Sequence, residues 1–334
     1  MKTKVPWNLV RAVVGAIVAL LLVRIVLGRI DLLGELRTAV PGYLVLSVAL
    51  MATGVILSSY RWLILMRLQG LPVGSRLCFR LTMIGTFWNL VIPGGVGGDV
   101  VKAVYIKDLA GPKAAEGMLS IVVDRILGLL GLFMVAILAV LFCIPFLRAA
   151  NHEIKNIVVS VTCIAAGGAT ALALAAGHDF VTALPGVSHL VGWLGPRLPR
   201  PISAIIVRVV HAMDIYRAQG FSVLLCLAIS MLIHSLTALA VWSIGKSFGA
   251  AILRMRDYFL ATGMANTIAA VPITPGGIGA RDVILQHFFE AAGEAHRICS
   301  LIPPVFSLVF VLLGLVGGLF YFYQVRHTSI PLNP

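Results

Sequence analysis

Residues Ile92 to Asp99 read Ile-Pro-Gly-Gly-Val-Gly-Gly-Asp, and a related string, Thr-Pro-Gly-Gly-Ile-Gly-Ala-Arg-Asp, occupies positions 274–282. Each string ends a short apolar run, at 77–92 and 257–273 respectively, and a further helical stretch follows it. Proline and repeated glycine interrupt a helix, whereas close helix packing requires only one small residue about every four positions. The pattern therefore favours two broken helices over two continuous ones.

The composition indicates the solvent in which the chain folds. Apolar residues make up 60% of the 334 residues and charged residues 12%, and the mean hydropathy is +1.01. A soluble domain is about one quarter charged, and a membrane helix needs about 20 consecutive apolar residues. These values predict an all-α polytopic membrane protein, and they exclude a soluble enzyme, a disordered chain, a disulfide scaffold and an outer-membrane barrel. The apolar runs lie at 8–28, 40–60, 77–92, 117–147, 156–177, 220–245, 257–273 and 298–324.

The order of these runs repeats. A long run, a short run, a glycine string, a short helix and a long run occur over 40–147 and again over 220–324. Glycine-interrupted segments at corresponding positions in two halves of a membrane protein point to the binding site of a transporter. We predict a single transmembrane domain, 1–334, whose two repeats are joined by 148–219.

The charge distribution predicts a topology. If the two short runs are re-entrant hairpins, six full spans remain and the cytoplasmic side holds the larger share of Lys and Arg residues. The repeats are then inverted relative to each other, and the hairpins enter from opposite faces and meet at a polar cavity. The same model places the protein in the cytoplasmic (inner) membrane with both termini in the cytoplasm.

Two other segments also have a membrane interpretation. From Ile202 to Tyr216 apolar residues recur at helical spacing, which predicts an amphipathic helix on the membrane surface. The run 8–28 is interrupted by Arg24, and no clear cleavage site follows it. We therefore interpret it as a retained first helix and not as a signal peptide.

The net charge of +13, from 26 Lys and Arg against 13 Asp and Glu, also suits a membrane protein. The cations cluster between apolar runs, as in loops that face an anionic leaflet, and no nucleic-acid-binding module is present. The five cysteines lie in or beside apolar runs without metal-ligand spacing, so we expect no disulfide, metal or cofactor. The sequence leaves a homo-oligomer open.

The glycine strings carry the first candidate chemistry. A helix that starts just after such a string presents unpaired N–H groups and a partial positive charge, which suit an anion such as phosphate. Lys102 lies in the first turn after the first string and Arg281 at the end of the second, where both could contact a phosphate. Asp99 has another interpretation, as the cap of its helix.

We expect Gly94-Gly95 and Gly276-Gly277 to form two backbone cradles that face one cavity. Alanine at Gly95 or Gly277 should then impair function, and the double substitution should be barely worse than either single one. Gly131, in the uninterrupted fourth run, should tolerate alanine.

Ionisable residues within the apolar runs are further candidates. Asp124 and Arg125 lie inside the fourth run, where a charge is costly unless it faces protein or a cavity. Adjacent helical residues do not face each other, so each should find its own partner. For Arg125 that partner is a lipid phosphate or a carboxylate of another helix. Arg61, beside Trp62 at the end of the second run, is typical of an interfacial anchor and is kept as a motif residue.

The polar residues of the runs have two interpretations each. His234 could relay protons, but a helix–helix hydrogen bond is the commoner role. Asn89 and Asn266 could contact a ligand or satisfy backbone groups freed at the breaks. The candidate substrate-binding residues are Arg61, Asn89, Pro93, Gly94, Gly95, Gly97, Gly98, Asp99, Lys102, Asp124, Arg125, Asn266, Thr274, Pro275, Gly276, Gly277, Gly279 and Arg281.

Three ordered motifs resemble those of the flippase-like proteins related to the transmembrane domain of lysylphosphatidylglycerol synthases. They are Asn89-Leu-Val-Ile-Pro-Gly-Gly-Val-Gly-Gly-Asp-Val-Val-Lys-Ala103, Val122-Val-Asp-Arg-Ile-Leu-Gly128 and Pro272-Ile-Thr-Pro-Gly-Gly-Ile-Gly-Ala-Arg-Asp282, and Ser59-Tyr-Arg-Trp62 also fits. The resemblance covers about residues 10–325, with aspartate at 282 where we expect glutamate. It implies a polytopic protein that moves a lipid or its head group between leaflets. The related synthases carry an aminoacyl-transfer domain, and we expect no such catalysis here.

The sequence thus favours translocation of a lipid, or of a lipid-linked anionic head group, through a central polar cavity. The partner would be a membrane lipid such as a phospholipid or a prenyl phosphate. The alternative is a membrane-embedded transferase that acts on a lipid carrier, which needs clustered carboxylates, a metal site or an activated nucleophile. No such motif occurs in the sequence, so we expect that the protein is not an enzyme.

Overall fold

A computed structural model describes residues 32–92, 96–144, 152–176, 216, 218–271, 274 and 276–326. The regular elements within these ranges are helices, which confirms the all-α class. A short 3₁₀ turn, Gly111–Lys113, precedes the fifth of them. The helices are α1 (Leu32–Leu36), α2 (Pro41–Leu68), α3 (Ser75–Val91), α4 (Gly97–Leu109), α5 (Ala114–Phe142), α6 (His152–Ala176), α7 (Gly220–Ser247), α8 (Met255–Ala269), α9 (Ala280–Ala291) and α10 (His296–Arg326).

Four of the described helices are long and apolar enough to cross a membrane, namely α2, α5, α7 and α10. Large apolar side chains on their outer faces are exposed, such as Phe142 at 74% and Phe221 at 81%, as expected for helices that contact lipid tails. These spans confirm a polytopic membrane protein. The predicted span at 156–177 is the helix α6, whose described apolar part is shorter, Val158–Gly168. The helix predicted at 8–28, and the surface helix except for Tyr216, lie outside the described residues.

The central pair of spans, α2 and α7, runs antiparallel. Val40, at the start of α2, donates its N–H to Ser247 O at the end of α7 at 2.9 Å. At the other end of the pair, Arg61 Nη1 donates to Ser230 Oγ at 2.7 Å. The last residues of α2 and of α7 therefore lie at opposite ends of the bundle.

The two short helices before and after each glycine string form hairpins. In the first hairpin α4 packs on α3 so closely that a Cβ on Gly98 would lie 2.6 Å from Gly85 O. In the second, a Cβ on Gly277 would lie 2.6 Å from Ala269 Cβ, at the end of α8. Without a hydrophobic driving force between helices in lipid, such small residues allow the close van der Waals contact that holds the helices together.

Each hairpin begins and ends on one side of the bundle. Lys113 Nζ, after α4, donates to Gly70 O, before α3, at 2.9 Å. In the second hairpin Ile252 N–H, before α8, donates to Glu294 Oε2, after α9, at 3.0 Å. Gly70 follows α2 and Ile252 follows α7, so the two hairpins open at opposite ends of the antiparallel pair.

Each hairpin packs against the last long helix of the other half. The first contacts α10, where Phe79 and Phe320 have ring centres 5.8 Å apart and Gly317 adjoins the backbone of α3. The second contacts α5, where a Cβ on Gly263 would lie 3.2 Å from Ala136 Cβ. Each hairpin therefore contacts both halves of the chain.

Candidate functional site

A polar cavity of about 240 Å³ lies where α2, α3, α4, α5 and α7 meet. No described residue of α8, α9 or α10 lines it. The candidate residues that line it are Arg61, Asn89, Gly98, Asp99, Lys102, Asp124 and Arg125. The other lining residues are Ser58, Thr82, Gly85, Thr86, Gly128, Leu129, Leu132, Ile233 and His234.

A buried ion pair holds one wall of the cavity. Arg61 Nε donates to Asp124 Oδ1 at 2.7 Å, and both residues are 6% exposed. With its bond to Ser230, Arg61 joins α2, α5 and α7. The interpretation of Arg61 as an interfacial anchor is therefore wrong. Its charge is tolerated in the interior because a carboxylate on another helix compensates it. The neighbouring Trp62, on which the interfacial interpretation is based, does not reveal that partner.

A second, looser ion pair faces the cavity. Arg125 Nε lies 3.5 Å from Asp99 Oδ2, and the two side chains are 38% and 27% exposed. Asp124 and Arg125 thus have different partners, as the sequence predicts. Asp99 is not the cap of α4, because Val96 precedes the helix and Asp99 lies within its first turn. Arg125 makes the interhelical ion pair and also borders the space that a ligand would occupy.

Lys102 supplies a third cation. It is 6% exposed, lines the cavity, and places Nζ 4.5 Å from the centre of the Trp62 ring. The ring is fixed by a hydrogen bond from Trp62 Nε1 to Ser120 Oγ at 3.2 Å. Among the described residues, Lys102 Nζ makes neither a hydrogen bond nor a close ion pair, and it interacts with the Asp99 carboxylate only at longer range. The cavity therefore contains one cation more than its carboxylates neutralise.

One of the backbone N–H groups at the start of α4 already has a hydrogen-bond partner within the protein. Asn89 Oδ1 accepts a hydrogen bond from Gly98 N–H at 2.7 Å, so Asn89 satisfies a backbone group freed at the break, one of its two predicted roles. The Gly98 N–H is consequently not offered to a ligand. Anion binding here depends on side-chain cations more than on the helix terminus alone.

His234 makes the helix–helix hydrogen bond that we predict for it. Its Nε2 lies 3.0 Å from Gly128 O, which links α7 to α5 at the edge of the cavity. Because both residues line the cavity, the bond also shapes its wall.

The second glycine string has a different role. Gly276, Gly277 and Gly279 adopt φ values of +58°, +72° and +89°, a region that other residues rarely enter. A Cβ on Gly276 would lie 2.9 Å from Phe310 Cε1 and 3.5 Å from Asn89 O, so the string packs against the end of α3. None of these glycines lines the cavity, and the expectation of two cradles facing one cavity is wrong for this string.

Arg281 is enclosed by protein. It is 4% exposed, lies 4.1 Å from the centre of the Phe306 ring, and donates to Ser307 Oγ at 2.9 Å. Ser307 Oγ donates in turn to Asp282 Oδ1 at 2.7 Å. Asp282 Oδ2 accepts the Gly279 N–H at 3.2 Å, which caps α9. Aromatic rings and a local carboxylate enclose the cation, its Nε has no hydrogen-bond partner among the described residues, and Arg281 does not line the cavity, so the predicted phosphate contact is not made at this cavity.

The remaining candidates lie away from the cavity or outside the described residues. A Cβ on Gly97 would overlap Trp88 O, so this glycine allows α4 to pack on α3. Asn266 is half-buried in α8, and the Thr274 hydroxyl is buried without a partner among the described residues. Pro93, Gly94, Gly95 and Pro275 lie outside the described residues.

Hydroxyl residues complete the polar wall, and none of them is among the candidates predicted from the sequence. Ser58 lies one turn before Arg61, and Thr86 and Thr82 lie one and two turns before Asn89. This helical spacing places each set on one face. A search for polar residues one or two helical turns before Arg61 and Asn89 would therefore have identified these hydroxyl residues.

The described residues contain no group of three or more His, Cys, Asp and Glu residues that could hold a metal ion. All five cysteines are free, and of these only Cys163 is exposed. Both cavity carboxylates are engaged by arginines. The arrangement is thus suited to binding a charged group between helices.

The fold and the cavity together define a class: polytopic α-helical membrane proteins with an internal charged site. The family described as lysylphosphatidylglycerol synthase TM region matches residues 9–317, and the chain belongs to this family. The family membership confirms the resemblance drawn from the three motifs.

Two similar proteins come from Methanothermobacter thermautotrophicus, and each is called a UPF0104 membrane protein. One is 23% identical over 311 residues, which cover 89% of each chain. The other is 26% identical over 328 residues, which cover 88% of each chain. No solved structure matches the chain.

Proposed function

We propose that this protein translocates a lipid, or a lipid-linked anionic head group, between the leaflets of a membrane. The observation that carries the proposal is the cavity among membrane-length helices, which holds three cations against two carboxylates. A net positive cavity in a low-dielectric setting attracts an anion far more strongly than the same charge in water. Membership of a family named for lysylphosphatidylglycerol synthases supports a lipid substrate.

The size of the cavity suggests how the lipid is handled. A cavity of about 240 Å³ is comparable in size to a polar head group, and most of its lining residues are polar or charged, which does not suit acyl or prenyl chains. We propose that the head group passes through the polar site while the tails stay in the bilayer. Arg125 and Lys102 would contact the phosphate, and the Arg61–Asp124 pair would hold the wall in place.

We further propose that 40–147 and 220–324 are inverted repeats and that both hairpins are re-entrant. Three observations support this: α2 and α7 run antiparallel, each hairpin opens on one side, and each packs against the last long helix of the other half. Non-helical backbone at membrane depth is tolerated only where protein or a cavity covers it. We propose a cytoplasmic membrane location with both termini inside, as the distribution of Lys and Arg favours.

A membrane-embedded transferase is the second candidate. The observation that favours it is the presence of two carboxylates, Asp99 and Asp124, in one cavity. General acid–base chemistry needs a carboxylate that can reach a substrate proton. Asp124 is 6% exposed and bound to Arg61, so Asp99 alone remains accessible for such a role.

One assay separates the two candidates. Purified protein is reconstituted in vesicles with a head-group-labelled phospholipid, and both the leaflet exchange and the covalent state of the lipid are measured. Translocation predicts faster exchange with an unchanged lipid mass, compared with vesicles that lack protein. A changed lipid mass without faster exchange would support the transferase.

A further inference from the structure

We propose that the cavity selects head groups that carry one negative charge, as in a phosphodiester, over the doubly charged head groups of phosphomonoesters and diphosphates, and that Asp99 sets this selectivity. The inference deepens the proposed function and rests on it for the identification of the ligand as a lipid. Its basis is the pairing of the five charged side chains that line the cavity.

The charges of the cavity are compensated in pairs, with one exception. Arg61 and Asp124 neutralise each other at 2.7 Å in the protein interior. Arg125 lies 3.5 Å from Asp99. Lys102 is the remaining cation: it makes no close ion pair among the described residues, and Asp99, which it meets only at longer range, is already paired with Arg125. A ligand with one negative charge would therefore leave the occupied cavity neutral.

A second negative charge would be unfavourable. With a dianionic ligand the cavity would carry a net negative charge in a low-dielectric setting, and the Asp99 carboxylate would lie beside the excess charge. A neutral ligand would leave Lys102 uncompensated, and a zwitterionic head group would bring a cation together with its phosphate, so the occupied cavity would keep its net positive charge. The charge count thus disfavours both doubly charged head groups and head groups without a net negative charge.

Lys102 is positioned to meet the ligand. It is 94% buried, yet it lines the cavity, and the Trp62 ring beneath it is fixed by Ser120. A cation over an aromatic ring keeps its charge available to an anion on its free side. The burial restricts the rotamers of Lys102, so little side-chain entropy is lost when a phosphate binds.

Asp99 distinguishes this cavity from a general anion site. It is the more exposed of the two carboxylates, and its distance to Arg125 is longer than that of the buried pair to each other. A phosphate that approaches Arg125 must compete with the Asp99 carboxylate for the guanidinium group. Removal of the Asp99 charge would therefore raise the net charge of the empty cavity by one and favour a doubly charged head group.

The test measures binding of short-chain phosphatidylglycerol, phosphatidic acid and phosphatidylcholine to the detergent-solubilised protein at pH 8, where phosphatidic acid is largely dianionic. We expect the wild type to prefer phosphatidylglycerol to each of the others by about tenfold or more, given the strength of close charge interactions in partly buried sites. Asp99→Asn should shift the preference towards phosphatidic acid by at least about tenfold, and Lys102→Gln should weaken phosphatidylglycerol binding by a similar factor.

Controls come from the same helix. Asp108→Asn and Lys107→Gln remove the same charges from exposed positions of α4 and should leave the three affinities unchanged. Asp99→Glu and Lys102→Arg keep the charges, so they should retain the wild-type order if the Asn and Gln variants fold poorly.

The proposal would be overturned if the wild type bound phosphatidic acid or phosphatidylcholine as tightly as phosphatidylglycerol, or if Asp99→Asn left the ratios unchanged. Leaflet exchange in vesicles is measured in parallel. Selective binding without exchange would support the charge selection and contradict translocation. Exchange of all three lipids at equal rates, with equal binding, would support translocation and contradict charge selection.

Discussion

Arg61 Nε lies 2.7 Å from Asp124 Oδ1, and the pair joins two long helices that are separated by the whole first hairpin in the sequence. Both residues are almost completely buried. The bond fixes α2 against α5 beside the cavity, and Ser230 extends the contact to α7. This buried pair holds the wall of the cavity, whereas the longer and more exposed Arg125–Asp99 pair is the one that a ligand could reach.

Removal of one member of the buried pair should destabilise the protein strongly. Arg61→Ala or Asp124→Ala leaves an uncompensated charge in the interior, with an expected loss of about 3–5 kcal/mol in unfolding free energy. The double variant Arg61→Met with Asp124→Leu should be less destabilised than either single variant, since no charge remains unpaired. Unfolding in detergent measures all three. Arg67→Ala, an exposed arginine of α2, is the control, and single variants as mild as this control would contradict the assignment.

Arg125→Ala should abolish lipid exchange with little loss of stability. Its side chain is 38% exposed and its carboxylate partner 27% exposed, so the ion pair adds little to folding. The guanidinium borders the cavity and is assigned to the phosphate in our proposal. Exchange rate and thermal stability are measured on the same preparation. A loss of stability as large as that of Asp124→Ala would show that Arg125 is a structural residue.

Gly98→Ala should destabilise the first hairpin. The added methyl group would lie 2.6 Å from Gly85 O, so α4 must move away from α3, at a cost of about 1–3 kcal/mol. Gly167→Ala is the matched control, because its added Cβ has no neighbour within 4 Å. Unfolding measurements should separate the two variants, and equal stability would contradict the close packing of the hairpin.

Two expectations about glycine change with the structure. Gly131 does not suit the role of a tolerant control, because an added Cβ would overlap Ser230 Cβ on α7. Gly277→Ala should be destabilising through its φ of +72° and its contact with Ala269. Of Gly277 and Gly98, only Gly98 lines the cavity, so the two substitutions act at different places and not on one shared cradle.

Cysteine labelling tests the proposed topology. The open ends of the hairpins are sampled by Asp108→Cys, in the last turn of α4, and by Ala295→Cys, after α9, both exposed, in a background that carries Cys163→Ala. These positions are preferred to Gly111 and Gly293, whose positive φ would strain a cysteine. A membrane-impermeant maleimide should label Asp108→Cys from the cytoplasm and Ala295→Cys from outside. Labelling of both from the same side would contradict the inverted arrangement.

Much of the fold could be predicted from the sequence because membrane helices leave a strong one-dimensional signal. The predicted runs at 40–60 and 117–147 correspond to α2 and α5, and the breaks at both glycine strings lie between the expected short helices. Proline and clustered glycine interrupt a helix through local backbone effects, so the position of the break can be predicted without knowledge of the tertiary contacts.

The site was harder to predict, because it depends on which helices meet. Lys102 follows the first string and Arg281 lies at the end of the second, yet Lys102 faces a cavity and Arg281 is enclosed by Phe306 and Asp282. The aromatic residue comes from the next helix, α10, and its contact with Arg281 depends on how α9 and α10 pack. Likewise, the partner of Arg61 lies 63 positions away, on another span, so the local sequence around Arg61 indicates only an interfacial role.

The most direct test of the central claim is the rate at which a head-group-labelled phosphatidylglycerol exchanges leaflets in vesicles that contain the purified protein. We predict that the wild type and Lys107→Gln accelerate exchange equally over protein-free vesicles, and that Lys102→Gln reduces the acceleration by about tenfold or more, because the only uncompensated cation of the described cavity is lost. Exchange at the protein-free rate with the wild type, or at the wild-type rate with Lys102→Gln, would contradict the account.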